Sequence, residues 1–285
     1  MRGLHSGAIS RHDGVSMRVV FALILLLSCV ASVSAFAQIG PRSVYLEDLT
    51  WTEVRDALKA GTTTIIVPVG GTEQNGPHMA LGKHNVRVKA LAGEIAGKLG
   101  DTLVAPVLAY VPEGTISPPA GHMRYPGTIS IPDATFKSLL DAAGRCFRQA
   151  GFTHIVLIGD SGNYQTLLKD VAAQLNRDWH GTPTRAHFIA DYYRATQTAY
   201  VQALKGQGFS DAEIGSHAGV ADTSLLMAVD PALVRADRLA SSPGGSATGV
   251  VGNPRGSTAA LGRLGTTEIV AQTVAAIRKA RLASP

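Results

Sequence analysis

Carboxylates, imidazoles and amides gather in four short segments of the sequence. The first, GGTEQNGPHMALGKHN (70–85), carries Glu73, Asn75, His78, His84 and Asn85. The second, GDSGN (159–163), carries Asp160, Ser161 and Asn163. A third joins Ser216, His217, Ala218 and Gly219 to Asp222, and a fourth sets Gly121 and His122 before Tyr125-Pro126-Gly127-Thr128. Carboxylate and imidazole are the ligand types of zinc and similar divalent ions. A catalytic ion needs few protein ligands and an open position, from which it activates water and polarises a carbonyl. Spacing alone is a weak sign, because the chain has no H-E-x-x-H and no paired C-x-x-C. The plain alternative is that Glu73 and His84 satisfy backbone groups in a long loop.

The elements around these segments alternate in type. Thr50 and Glu53 frame a capping box that opens a helix to about residue 60. The β-branched run 62–69 reads as a buried strand, as do 102–108, 154–159 and 185–191. Helices are expected over 86–99, 132–150, 163–177, 192–206, 223–229 and 258–282, with a second box-like start at Ser210. Apolar strands alternating with helices predict a three-layer α/β/α sandwich around a mainly parallel sheet. Ligands of open α/β sheets bind at the carboxyl ends of the strands. Segments 70–85 and 159–163 each follow a strand, so they should lie side by side.

A chain of 285 residues that is 45% hydrophobic and 16% charged is globular in composition. Its formal charge of +5 comes without a Lys/Arg run in the main body, so no nucleic-acid partner is expected. Arg18 precedes the apolar stretch VVFALILLLSCVASV, and Ala35-Phe36-Ala37 follows as a small-x-small cleavage site. Residues 1–37 therefore read as a signal peptide, with Met17 as a possible start, and 38–285 as a single domain. Export to the periplasm or outside the cell is expected, with no membrane attachment after cleavage. The mature chain would keep one cysteine, Cys146, expected to be a buried thiol on a helix.

The segment VPVGGTEQNGPHMALGKHN resembles the signature of the creatininase (creatinine amidohydrolase) family, G-S/T-x-E-Q-H-G-P-H-L-P-L-x-T-D after a strand. AGHMRYPGTISI is similar to its E-H-x-x-F-P-G-T segment, and IVLIGDSGN sits where the family has N-G-H-G-G-N. SHAGVADTSLLMAVDP resembles H-A-G-x-x-E-T-S, and GVVGNPRGSTAALG its closing glycine-rich segment. The resemblance spans roughly 43–280. It implies a creatininase-like fold, a homo-oligomer, a small-molecule substrate and C–N bond hydrolysis with zinc or manganese, commonly two ions. Residue by residue, the family's first-loop Glu matches Glu73, while its first-loop His falls on Asn75, its Asp on His84 and its second-loop His on Asp160. The His of H-A-G matches His217, and the Glu of E-T-S falls on Asp222.

Asp and His have thus traded places between the two loops. The expected centre is one divalent ion rather than two, held by Glu73, His84 and Asp160, with His217 and Asp222 as catalytic residues. Asn75, His78, His122 and Ser161 are expected to bind substrate. The resulting expectation is a secreted metal-dependent hydrolase of a small cyclic or linear amide, or a related lactone. Two alternatives stand beside it. One is a non-catalytic periplasmic relative that kept the fold. The other is an SGNH-type serine esterase attacking through Ser161, although no His follows His217 to serve in a late D-x-x-H.

Overall fold

A computed structural model of the chain describes residues 42–240, 244–245 and 247–283. The signal peptide expected at 1–37, Met17 included, lies outside the described residues. From Ser43 onward the chain clusters as one compact unit. Among the described residues no helix is long and apolar enough to cross a membrane.

Four strands, β1 (Thr64–Val69), β2 (Thr102–Val104), β3 (His154–Gly159) and β4 (Arg185–Phe188), form a sheet ordered β2-β1-β3-β4. All three pairings are parallel. The helices are α1 (Trp51–Lys59), α2 (Lys83–Leu99), α3 (Asp133–Ala150), α4 (Gln165–Asp178), α5 (Asp191–Gln197), α6 (Ala199–Gly206), α7 (Asp211–Ile214), α8 (Val220–Val229) and α9 (Ala259–Leu282). Because side chains alternate along a strand, β1, β2 and β3 each feed two cores. Ile66, Val104, Val156 and Ile158 pack with α2, α5, α6, α8 and α9 on one face. Ile65, Val67, Leu103, Ile155 and Leu157 pack with α1, α3 and α4 on the other. The result is a three-layer α/β/α sandwich. Both capping boxes form: Thr50 with Glu53 opens α1, and Ser210 with Glu213 opens α7.

Several boundaries differ from the sequence expectation, each for a local reason. β2 stops at Val104 rather than 108, since Pro106 lacks the N–H that a sheet ladder needs. The helix expected over 192–206 is two helices, broken at Thr198, whose ψ of −85° departs from the helical value. Cys146 is exposed, not buried. Helix α3 buries the stripe Phe136, Leu140 and Gly144, and Cys146 lies two residues off it. Most consequential for the site, α2 starts at Lys83 rather than 86, so Lys83 and His84 belong to a helix and not to the preceding loop.

Candidate metal centre

The loops that follow β1 and β3 meet at the carboxyl edge of the sheet. Tyr164, buried behind them, ties the two together. Its hydroxyl accepts from the amides of Asp160 and Ser161 and donates to the carbonyls of Val69 and Gly70. Gly70 is required here, because a Cβ on it would lie 2.2 Å from Asn85 Oδ1, the atom that accepts the Gly71 amide. The first loop is then pinned from within. Asn75 Nδ2 donates to the carbonyls of Glu73 and Ala80, and Gln74 N to Thr128 Oγ1. These bonds turn Glu73 inward, where it is 1% exposed.

Lys83, His84 and Arg87 occupy one face of the first turns of α2, as positions three and four apart do. All three are buried and reach the same carboxylates. His84 Nε2 lies 2.8 Å from Glu73 Oε1, and His84 Nδ1 lies 2.6 Å from Asp160 Oδ2. Arg87 Nε donates to both oxygens of Asp160, at 3.0 and 2.8 Å, and Arg87 Nη1 to Asp222 Oδ1 at 3.0 Å. Lys83 Nζ sits 2.9 Å from Asp222 Oδ2 and 3.6 Å from Glu73 Oε1. Tyr192 Oη also donates to Asp160 Oδ1.

Glu73, His84 and Asp160 are therefore adjacent, yet in a different arrangement from the expected convergence on one ion. They form a hydrogen-bonded row, with the imidazole between the carboxylates and both its nitrogens committed. Asp160 is further occupied by Arg87, which the α2 register places one turn beyond Lys83. Burial opposes ionisation of Glu73, but the neighbouring His84, Lys83 and His217 hold its carboxyl below the usual range. His84 is pushed the other way, up, by Glu73 and Asp160 in spite of its burial and of Lys83.

Donor atoms do converge on the other side of Glu73. Glu73, His122 and His217 offer ligand atoms that all lie within 4.8 Å of one another. Glu73 Oε2 is buried and lies 3.3 Å from His122 Nε2. His217 Nδ1 lies 3.7 Å from Glu73 Oε1. His217 Nε2 faces the Gln74 carbonyl at 3.0 Å, so its N–H donates there and leaves the Nδ1 lone pair aimed at the carboxylate. An imidazole anchored on a backbone carbonyl by one nitrogen is the usual second-shell pattern of a metal-binding histidine. The Gln74 side-chain amide touches both rings, 3.0 Å from His122 Nδ1 and 3.1 Å from His217 Nε2. Burial, with Lys83 nearby, lowers the pKa of both, His217 to about 4, so both are neutral at neutral pH. A buried carboxylate beside two neutral imidazoles fits a divalent cation of the zinc or manganese kind.

The remaining expected residues fall into two groups. His122 and Ser161 line the cleft, of about 580 Å³, together with Glu73, His84, Asp160, His217 and Asp222. Asn75 and His78 do not line it. Asn75 staples the loop, and His78 is buried against Thr223 Oγ1 at 3.0 Å. Asp222, expected to be catalytic, is an ion-pair partner of Lys83 and Arg87 and accepts the Ala218 amide at 3.0 Å. Ala218 takes a left-handed φ of 56°, and so turns the chain between His217 and the start of α8. Ser161 Oγ accepts from the Asn163 amide, and among the described residues no imidazole bonds to it, so the geometry of an activated serine is missing. Gln74, Lys83, Arg87 and Glu113 had no assigned role from sequence. The available signal was a pair of cations four residues apart beside the signature loop.

Glu113 reaches the centre from behind Glu73. Its carboxyl hydrogen-bonds the Glu73 side chain, and its Oε2 accepts from Asn163 Nδ2 at 2.8 Å. Burial and the charge of Glu73 push its pKa up to about 9. A carboxyl raised above its unfolded value of about 4.3 contributes stability that is full below that value and lost as pH rises toward about 9. His78, His187 and His217, lowered to about 4 by burial, have the opposite sign. Their contribution is full above about pH 6.5 and lost as pH falls toward 4. Between about pH 6.5 and 9 only the Glu113 drift remains of these. Urea denaturation of the metal-free protein should show stability declining across that window, and Glu113→Gln should flatten the decline. An unchanged slope in the variant would reject the assignment.

Residues 47–277 match the family model described as "Creatininase: Creatinine amidohydrolase". The "Creatinine amidohydrolase" of Pseudomonas putida is 29% identical over 208 residues, which cover 71% of this chain and 78% of that protein. A "Mycofactocin precursor peptide peptidase" of Mycolicibacterium smegmatis is 30% identical over 180 residues, 61% of each chain. Among solved structures, one described as "Creatininase Mn" superposes with a TM-score of 0.69 at 26% identity, covering 84% of this chain and 99% of that one. A mutant creatininase of "Zn-Zn type" gives 0.67 at 27% identity, covering 84% and 98%.

Proposed function

The chain belongs to the creatininase family, and from that premise we propose that it hydrolyses the C–N bond of a small cyclic or linear amide with a divalent ion, zinc or manganese, held by Glu73, His122 and His217. The observation that carries this reading is the convergence of the three donor groups at the cleft. A cleft of about 580 Å³ suits a small ligand better than a folded protein partner. The relatives named for creatinine and for a peptide substrate are both C–N hydrolases by name. The proposal includes export, which rests on the sequence of residues 1–37, and assembly of several copies, which rests on the family resemblance.

Such an ion supplies Lewis acidity, polarising a carbonyl and making water a nucleophile at neutral pH. The chain supplies the rest. Gln74 orients both imidazoles, His217 through its backbone carbonyl and His122 through its side-chain amide. The row from His84 through Asp160 to Arg87 holds Glu73 from the far side. Hydrolysis forms a C–O bond from water, breaks the C–N bond and delivers a proton to the departing nitrogen.

The test is a screen of the mature protein against small lactams, imides, linear amides, lactones and creatinine, before and after chelation. Chelation should abolish turnover, and zinc or manganese should restore it. Full activity in the chelated protein would overturn the metal mechanism. His122→Ala and His217→Ala should each lower metal content, measured by elemental analysis. If His217→Ala keeps its metal but loses the roughly 10²–10⁴-fold that a general acid–base is worth, His217 is a proton shuttle and not a ligand.

A further inference from the structure

We propose that Lys83, with Arg87 beside it, supplies from within the protein the positive charge that a second ion supplies in a two-ion centre, so that this site takes one ion. The inference deepens the reading above and rests on it. Three carboxylates stand in a row here: Glu73 and Asp160, both buried, and Asp222, partly buried. A group of that kind cannot stay ionised inside a protein without cations to balance it. In the similar structure of "Zn-Zn type" two metal ions are present by its description. Here α2 brings its own cations.

Lys83 Nζ occupies the position between Glu73 Oε1 and Asp222 Oδ2, at 3.6 and 2.9 Å, with its side chain 1% exposed. Arg87 closes the row by bonding Asp160 and Asp222 together. The Glu73 carboxylate is divided accordingly. Oε1 is engaged by His84 and Lys83, while Oε2 faces His122. With Lys83 and His217 Nδ1 both on the Oε1 side and His122 on Oε2, the carboxylate already carries an ammonium and has room for one metal ion rather than two. An ammonium and a dication repel and compete for the same oxygens, so the Lys83 position excludes an ion. The exchanged residues agree with this. His84, where the family has a carboxylate, is a neutral or cationic group beside two fixed cations, and needs no metal to be tolerated there.

The experiment is zinc stoichiometry after equilibrium dialysis of the full mature chain, read by elemental analysis and by isothermal titration. The wild type should bind one zinc per chain. Lys83→Ala should bind two, and Lys83→Gln, which keeps an amide donor for Asp222 while removing the charge, guards against a folding failure. Adding Asp222→Asn to either variant should remove the second zinc. Two zinc ions in the wild type would overturn the inference and leave the metal-dependent reading intact. A folded Lys83 variant that still binds one would overturn it as well. No zinc in the wild type would sink the metal reading, and this inference with it.

Discussion

Glu73→Gln is expected to bring hydrolysis down to background and to weaken metal binding by more than the roughly 10–100-fold that loss of an outer-shell partner costs. The reason is the central position of this carboxylate. One oxygen meets His84 and Lys83, the other faces His122, and His217 Nδ1 lies within 3.7 Å. No other carboxylate belongs to the converging group among the described residues. The amide is nearly isosteric, so the loop pinned by Asn75 and Gln74 should keep its shape. Removing the charge leaves two neutral imidazoles and too little negative charge to hold a dication. Metal affinity by competition with a chromophoric chelator, together with turnover of any substrate found in the screen, measures the effect. Retention of near-wild-type metal affinity would show that the ion sits elsewhere.

The largest loss of stability is expected from Arg87→Met. Arg87 is buried and spans the buried Asp160 and the partly buried Asp222, and their charges raise its pKa in spite of that burial. Removing it leaves Asp160 with His84 and Tyr192 but without its cation. Breaking a buried ion pair by deleting one partner costs about 3–5 kcal/mol, because a charge is left uncompensated. Arg87→Lys should recover only part, since an ammonium cannot make the guanidinium's forked contacts to two carboxylates. Asp160→Asn in the Arg87→Met background should restore more, by removing the stranded charge. Denaturant midpoints of the four proteins give the comparison. A loss below about 1 kcal/mol for Arg87→Met would mean that water or a rearranged Lys83 reaches Asp160.

Much of the architecture was legible because it depends on local pattern. The β-branched and aliphatic stretches 64–67 and 155–158 make strands buried on both faces, and helices between them force parallel pairing. The functional loops follow from the same pattern, since they are what remains at the carboxyl ends of those strands. The start of α2 was not legible. Its cap is Gly82, which makes no side-chain bond to the helix, so the usual Ser, Thr, Asp or Asn mark is absent. Three residues of error there hid the role of Lys83, because only a helical register sets it on one face with His84 and Arg87.

By itself the sequence determined that a carboxylate-bearing signature loop would stand at the edge of a parallel sheet in an α/β/α sandwich. That placement rests on period, composition and order along the chain, whereas the weight on Glu73 rests on the loop's resemblance to the creatininase signature. Which imidazoles share that carboxylate was decided only in three dimensions. His122 and His217 are brought together by Gln74, which lies 48 positions from one and 143 from the other. Spacing along the chain contains no record of such a meeting, since it depends on how a connection after β2 and the turn before α8 pack over the sheet edge. The separation of the internal salt-bridge row from the converging Glu73, His122 and His217 was decided the same way. Residue types name the charges, but burial and distance determine which charges neutralise each other and which donor groups converge.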